Sequence, residues 1–186
     1  MLDPETIDEI AAYVRSGFYD RERIMEVFCE EMYGPGELDA EEVSAAIDEE
    51  FAKWESEKRT WPSVTDCDRL DQAFAAMNER GVVALQNAGY TQSDGYEDFC
   101  QAYEDHPDKS SVIGYCFYHG QDLERAVAGG GLLLAFGPVD PKQEGTQGPE
   151  IGRIVREELE RAGLKVQWDG TFSQRIFVPD LAWQRR

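Results

Sequence analysis

One short segment of the chain combines residue types that could do chemistry. Tyr118-His119-Gly120-Gln121-Asp122 lies between a run of β-branched and aromatic residues and a helical pattern. A histidine that ends a strand beside the free N–H groups of a following helix can act as an acid, a base or a ligand. It can equally hydrogen-bond a helix cap or a backbone carbonyl and serve only the fold. The candidate ligand-binding residues here are Tyr118, His119, Gln121 and Asp122.

A second polar segment, Gln86 to Gly95, follows the short apolar run Val82 to Leu85. Its amides, hydroxyls and aromatic ring could form a binding loop, although the same residue types are common in a plain turn. The candidates in it are Gln86, Asn87, Tyr90 and Asp94. If both segments belong to one site, the strand ends at Leu85 and Tyr118 must lie side by side at one edge of a sheet.

Two other patterns suggest chemistry and fail on position or spacing. The glycine triplet Gly129 to Gly131 follows a helical pattern and precedes a strand, whereas a phosphate-binding loop needs the opposite order. It predicts a helix end and a chain reversal. Cys116 and His119 have the spacing of half a zinc site, but strand alternation points them to opposite faces and no second pair exists. We therefore expect no metal and no cofactor, and Cys116 reads as a core residue.

The charge balance limits the partners. The chain has 38 acidic and 18 basic residues, a net charge of -20, which disfavours binding to nucleic acid and to anionic membranes. An acidic surface can simply keep a protein soluble, or it can dock a basic protein partner. Charge alone does not choose between these interpretations.

The cysteines and the apolar runs indicate a compartment. The four cysteines are widely spaced, and the N-terminus lacks the pattern of a signal peptide. The longest apolar run, Leu132 to Phe136, is far too short to span a bilayer. We expect a cytoplasmic protein with reduced thiols.

A weak repeat organises the beginning of the chain. Three times an apolar residue precedes an aspartate that is followed four positions later by an aliphatic residue, so the aspartate can cap a helix under a hydrophobic staple. The three aspartates are Asp3, Asp20 and Asp39. Residues 1–57 are therefore predicted to form an acidic three-helix subdomain; residues 1–59 contain 18 acidic and 6 basic side chains.

Helical and strand patterns alternate in residues 61–186, which predicts an α+β domain. Its sheet should have four or five strands, with helices mainly on one face. We expect helices over 65–81, 96–103, 122–128 and 149–163, strands over 82–85, 111–118 and 132–136, and a terminal hairpin pairing 164–168 with 175–178. Residues 137–148 read as a long polar loop, and either Gln121 or Asp122 should cap the helix over 122–128.

Three motifs resemble an uncharacterised bacterial family known as a domain of unknown function. They are WPSVTDCDRLD from Trp61, GYCFYHGQDLERAV from Gly114, and GLKVQWDG from Gly163. The likeness covers most of the chain from Trp61, and the acidic helical N-terminus fits it. The resemblance implies no reaction, ligand or catalytic residue. Family members often look like Cys-Cys-x-x-Cys-Gly where this chain has Gly89 to Gly95; if that cluster binds a metal in relatives, this chain has lost the site.

Two functions remain open. The charge and the absence of a recognised catalytic motif favour a non-enzymatic interaction or regulatory module with an acidic surface. The second part is also loosely similar to small α+β domains with ferredoxin-like sheets, some of which inhibit ribonucleases by binding them. The alternative is a small enzyme or small-ligand binder with a pocket around His119 and the Gln86 to Asp94 loop.

Overall fold

Helices fill the first third of the chain and the sheet lies in the remainder. The computed structural model describes residues 1–186, which divide into two units. The first unit comprises Met1–Thr65 and Gln184–Arg186, and the second comprises Asp66–Trp183. None of the helices is both long enough and apolar enough to cross a membrane.

The first unit contains three helices that begin at the predicted aspartate caps. These helices are α1 (Pro4–Ser16), α2 (Arg21–Glu26), which continues as a π-helical turn over Val27–Glu31, and α3 (Ala40–Lys58). The Asp3, Asp20 and Asp39 side chains each accept a hydrogen bond from a backbone N–H of the first turn. The predicted caps are confirmed. Fully buried aliphatic and aromatic side chains form the core: Ile10, Val14, Ile24, Phe28, Val43 and Ile47.

The second unit has the α+β architecture that the sequence predicts. Its helices are α4 (Asp66–Glu79), α5 (Gln92–Glu104), α6 (Gly120–Val127) and α7 (Glu144–Arg161). Its strands are β1 (Val82–Leu85), β2 (Gly114–Phe117), β3 (Leu132–Pro138) and β4 (Ile176–Val178). The strands form one mixed sheet in the order β1-β2-β3-β4, in which β1 and β2 are parallel and the other pairs are antiparallel.

Strand alternation gives the sheet two differently covered faces. Cys116 and Phe136 point towards α4 and α7, which pack beside each other. Tyr115 and Phe117 point to the opposite face, where they pack with Phe99 of α5. The sheet is therefore buried on both sides where β1 and β2 run parallel.

Helix boundaries differ from the predictions at two polar segments. The segment Gln86 to Gly95 is a turn only up to Thr91, which caps α5, so Asp94 lies in the first turn of that helix. The predicted loop over 137–148 contains a 3₁₀ turn at Pro141–Gln143 and the first turn of α7, with Pro149 inside the helix. Asp140 caps the 3₁₀ turn, a local signal that the overall polarity of the segment concealed.

The strand predictions also need correction at both ends of the domain. β2 is limited to Gly114–Phe117, because Lys109–Ser111 form a 3₁₀ turn. The terminal hairpin is reduced to one isolated bridge between Gln167 and Phe177, while residues 176–178 pair with β3 instead. The alternating residues 164–168 are packed by their side chains without a continuous ladder.

A buried glycine in α7 tests how closely this helix fits its neighbours. A Cβ at Gly152 would lie 2.5 Å from the ring of Trp168 and 2.7 Å from that of Phe136. Glycine inside a helix costs about 1 kcal/mol relative to alanine, and at Gly152 this cost is offset by the close packing. In the same helix, a Cβ at Gly145 would meet nothing within 4 Å.

Gly152→Ala should therefore lower the free energy of unfolding by about 1–3 kcal/mol, because the added methyl overpacks the aromatic pair. Gly145→Ala, the matched control, should leave it unchanged or raise it by up to about 1 kcal/mol. Urea denaturation of both variants measures the difference. A stabilised Gly152→Ala protein would contradict the packing described.

Candidate functional site

The two candidate segments meet at one edge of the sheet. Leu85 pairs with Phe117 in the parallel β1–β2 ladder, so both carboxyl ends lie at that edge. The predicted neighbourhood of Leu85 and Tyr118 is confirmed. The backbones beyond the strands are also joined, since Ala88 N donates to Tyr118 O at 2.9 Å and Gly120 N donates to Gly89 O at 2.9 Å.

Tyr118 and Gln86 form one buried polar contact at this edge. The fully buried Tyr118 donates its hydroxyl to Oε1 of Gln86 at 2.9 Å. The amide of Gln86 donates in turn to Oδ1 of Asp71 in α4 at 2.7 Å. These side chains connect the sheet to α4, which is a structural contribution.

The other candidates of the loop take separate positions. Asn87 is the one non-glycine residue with a positive φ, 50°, a conformation that asparagine tolerates well. Tyr90 is exposed and its hydroxyl lies 3.4 Å from a carboxylate oxygen of Glu124. Asp94 forms a capping box with Thr91, and hydrogen bonds from the Thr91 backbone and hydroxyl lower the pKa of Asp94. The loop candidates therefore do not converge on one point.

His119 is the N-cap of α6, which corrects the prediction that Gln121 or Asp122 caps this helix. Its backbone is extended, and Nδ1 lies 3.4 Å from the backbone N of Asp122. Asp122 at the third helical position accepts a hydrogen bond from the His119 backbone N at 3.3 Å, so the two residues form a capping box. Histidine is uncommon as a helix cap, which is why the sequence reading passed over it. The side chain of Gln121 is exposed.

The hydrogen bonds of the imidazole fit a neutral ring. Nδ1 faces a backbone N–H and accepts from it, whereas Nε2 lies 3.1 Å from Oδ2 of Asp122, a close contact that favours a proton on Nε2. The neutral Nε2–H tautomer satisfies both contacts. Burial lowers the pKa of His119, with the Asp122 carboxylate opposing this effect and the Arg175 cation adding to it. Only 5% of the residue is exposed.

Asp122 also holds an arginine that the sequence reading missed. The guanidinium Nη2 of Arg175 donates to Oδ2 of Asp122 and, at 3.2 Å, to Leu133 O. Asp122 is buried, and the Nε of Arg175 is buried with no hydrogen-bond partner. The sequence did contain a signal for Arg175, because this residue directly precedes a strand whose alternate residues, Ile176 and Val178, are apolar and buried.

Arg175 opens into a pocket of about 330 Å³. A second arginine, Arg125 of α6, lines the same pocket, together with the amide side chains of Gln167 and Gln174 and the ring of Trp168. Neither His119 nor Asp122 lines it. The candidate site therefore has two layers. The inner layer is the buried pair of His119 and Asp122, and the outer layer is a polar pocket. Asp122 fixes Arg175 at the wall of that pocket.

The positions of Cys116 and the glycine triplet show that both are structural features. Cys116 is fully buried, and burial strongly raises the pKa of its thiol, so it is a neutral core residue. The glycine triplet lies between α6 and β3, with positive φ values of 79° at Gly129 and 73° at Gly131. The predicted helix end and chain reversal are confirmed.

A family model matches nearly the whole chain. The model of a domain of unknown function, DUF6891, matches residues 2–186, and the chain belongs to that family. Neither a curated protein nor a solved structure matches it.

The capping role of His119 predicts a pH dependence. Because its pKa is lowered in the folded state, the unfolded chain binds more protons once the pH falls below the ordinary value of about 6.5. Stability should therefore decrease as the pH falls from about 7.5 to 5.5. His119→Asn retains a capping side chain that does not titrate, so the part of the pH dependence that comes from His119 should disappear. The substitution should lower the free energy of unfolding at pH 7.5 by about 1–2 kcal/mol.

The measurement is the urea midpoint of the wild type and the variants at both pH values. The chain has two histidines, so His106→Asn is the matched control and should keep the wild-type pH dependence. If His119→Asn keeps it as well, the assignment of a neutral, buried cap is wrong.

Proposed function

We propose that this member of a family of unknown function binds a small molecule that carries an oxyanion, a carboxylate or a phosphate, in the pocket of Arg125 and Arg175. The observation that carries the proposal is the presence of two guanidinium groups in one pocket of about 330 Å³. This volume lies within the range of small-molecule sites. Two cations are unexpected together in a chain with a net charge of -20.

The Arg175 guanidinium is preorganised for such a ligand. Its Nη2 is held by the Asp122 carboxylate and by Leu133 O, while its buried Nε has no protein partner. A guanidinium presents five N–H donors in a planar fork that matches the oxygens of a carboxylate or a phosphate. The bonds to Asp122 and Leu133 therefore fix the fork and leave donors for a ligand.

Arg125 supplies charge that no protein carboxylate neutralises. Its Nε donates to Gly130 O at 2.9 Å, and its guanidinium lies 5.6 Å from the centroid of the Phe177 ring. The one carboxylate that lines the pocket belongs to Asp169, whose Oδ1 accepts hydrogen bonds from the N–H and the hydroxyl of Thr171 at 2.8 Å each. The amides of Gln167 and Gln174 add donors and acceptors that can select the rest of the ligand.

Binding without a reaction is the simpler role for this pocket. A general acid or base must reach the reacting group, but His119 and Asp122 are buried and do not line the pocket. They hydrogen-bond to each other, and Asp122 also accepts a hydrogen bond from Arg175. They act as positioning residues for the proposed ligand site.

Arg125→Gln is the direct test, because this arginine can be changed without leaving a buried carboxylate unpaired. Inorganic phosphate and malonate are the probes, and the ¹⁵N–¹H resonances of Gln167, Phe177 and the Arg175 Nε are followed by NMR. Both probes should shift these resonances in the wild type. Loss of one guanidinium should weaken binding about tenfold or more.

Arg153→Gln is the matched control, since Arg153 is exposed on α7 and does not line the pocket. It removes the same charge and should leave binding unchanged. Equal weakening by both substitutions would show a response to net charge alone, and unshifted pocket resonances would remove the proposal.

A second candidate function is docking of a basic protein partner by the first unit. Five basic side chains of this unit are already paired with its own carboxylates: Arg15, Arg21, Arg23, Lys53 and Lys58. Exposed acidic residues such as Glu5 and Asp8 of α1 have no such counter-charge. This surface favours an interaction module, since uncompensated carboxylates steer a cationic surface towards them.

An octalysine peptide is the probe for this second function. Its affinity should fall by about tenfold or more between 50 and 300 mM NaCl, because exposed charges are screened by salt. The double variant Glu5→Gln/Asp8→Asn should weaken binding more than Glu49→Gln/Glu57→Gln, which removes two carboxylates that are paired with Lys53 and Arg15. Equal effects of the two double variants, or binding insensitive to salt, would contradict docking by the unpaired carboxylates.

A further inference from the structure

A second pocket lies on the sheet face covered by α5 and has the opposite chemistry. Its volume is about 480 Å³. Tyr115 and Phe117 of β2 and Tyr96 of α5 supply aromatic rings, and Glu144, at the start of α7, supplies the one charged side chain in the lining. The Tyr96 and Tyr115 centroids are 5.5 Å apart, and those of Tyr115 and Phe117 are 5.7 Å apart.

The hydroxyl of Tyr115 has an unused hydrogen-bonding capacity in this pocket. The residue is only 8% exposed, yet its hydroxyl forms no hydrogen bond within the protein. A Cβ at Gly137 would lie 2.7 Å from this oxygen, so the glycine of β3 makes the space that the hydroxyl occupies. Burial raises the pKa of Tyr115, so the phenol keeps its proton. A phenol hydroxyl is both a donor and an acceptor, so a ligand in the pocket can form a hydrogen bond with it.

Glu144 is the counterpart of this aromatic surface. It is partly buried and pairs with no lysine, arginine or histidine. Its negative charge is felt at both tyrosines, where it helps to raise their pKa values. Aromatic rings beside a carboxylate attract organic cations, because the ring faces have a negative electrostatic potential and the carboxylate has a negative charge. The first-turn carboxylates Asp94 and Glu144 also offset the partial positive charge of the helix N-termini near the pocket.

We propose that this pocket binds an organic cation, whose ammonium or guanidinium group lies by Glu144 and the Tyr115 hydroxyl while its carbon atoms pack on the rings of Tyr96 and Phe117. The cation can be a free amine or the side chain of a lysine or arginine in another protein. This site is distinct from the arginine pocket and does not depend on the function proposed for it.

The test compares choline with its uncharged isostere 3,3-dimethylbutan-1-ol, using the ¹⁵N–¹H resonances of Ser93, Tyr96 and Phe117. Choline should bind about tenfold or more tightly than the isostere, since only the charged form interacts with Glu144 and the ring quadrupoles. A blocked Gly-Lys-Gly peptide is the second probe. Stronger binding of choline identifies a free small-molecule cation as the ligand type, and stronger binding of the peptide identifies a protein side chain. No binding by either probe overturns the proposal.

Two substitutions check the assigned contacts. Glu144→Gln should weaken binding of the preferred cation about fivefold to tenfold, and Tyr115→Phe, which keeps the ring, about threefold. Glu150→Gln removes the same charge from an exposed position of α7 outside the pocket and should have no effect. If the isostere binds as tightly as choline, or if Glu144→Gln binds the cation as tightly as the wild type does, the pocket does not select for positive charge.

Discussion

The buried ion pair of Asp122 and Arg175 is the interaction on which the organisation of the second unit depends. It joins the first turn of α6 to the residue before β4, which are separated by more than fifty positions in sequence. Removing one partner of such a pair leaves an uncompensated buried charge, at a cost of about 3–5 kcal/mol. Replacing both by apolar residues can be nearly neutral, so the retention of the charges needs another reason. A fixed guanidinium at the wall of a pocket supplies one.

His119 completes this arrangement through its hydrogen-bonding pattern. A serine or aspartate would cap α6 equally well, but neither side chain could also place a ring nitrogen beside the Asp122 carboxylate, as Nε2 of His119 does at 3.1 Å. The neutral imidazole accepts from the Asp122 backbone N–H and places Nε2 3.1 Å from the carboxylate, while the His119 backbone N donates to Oδ2. Oδ2 of the carboxylate is thus held by the backbone N of His119 and by the guanidinium of Arg175. Its position is determined before any ligand arrives, which is the condition for a specific site.

Local signals made part of this structure predictable. Asp3, Asp20 and Asp39 identified three helix starts, because capping depends only on residues within one turn. The ligand-site hypothesis required Leu85 and Tyr118 to lie side by side, and the parallel pairing of β1 with β2 meets that condition. Sequence could not reveal that β4 pairs with β3 instead of extending a hairpin, because that choice depends on packing across the sheet. For the same reason Arg175, far from His119 in sequence, was missed.

The two pockets show that the charge at a local site can differ from the net charge of the chain. Register places Leu133 and Phe177 at the arginine pocket on the same face of the sheet as Tyr115 and Phe117 at the aromatic pocket. One lining contains Arg125 and Arg175, and the other contains Glu144, although the whole chain carries a charge of -20. Exposed charges farther apart than about 8 Å are largely screened at physiological salt. If each pocket binds the ligand proposed for it, the few charges in its lining select that ligand, and one sheet face serves two ligands of opposite sign.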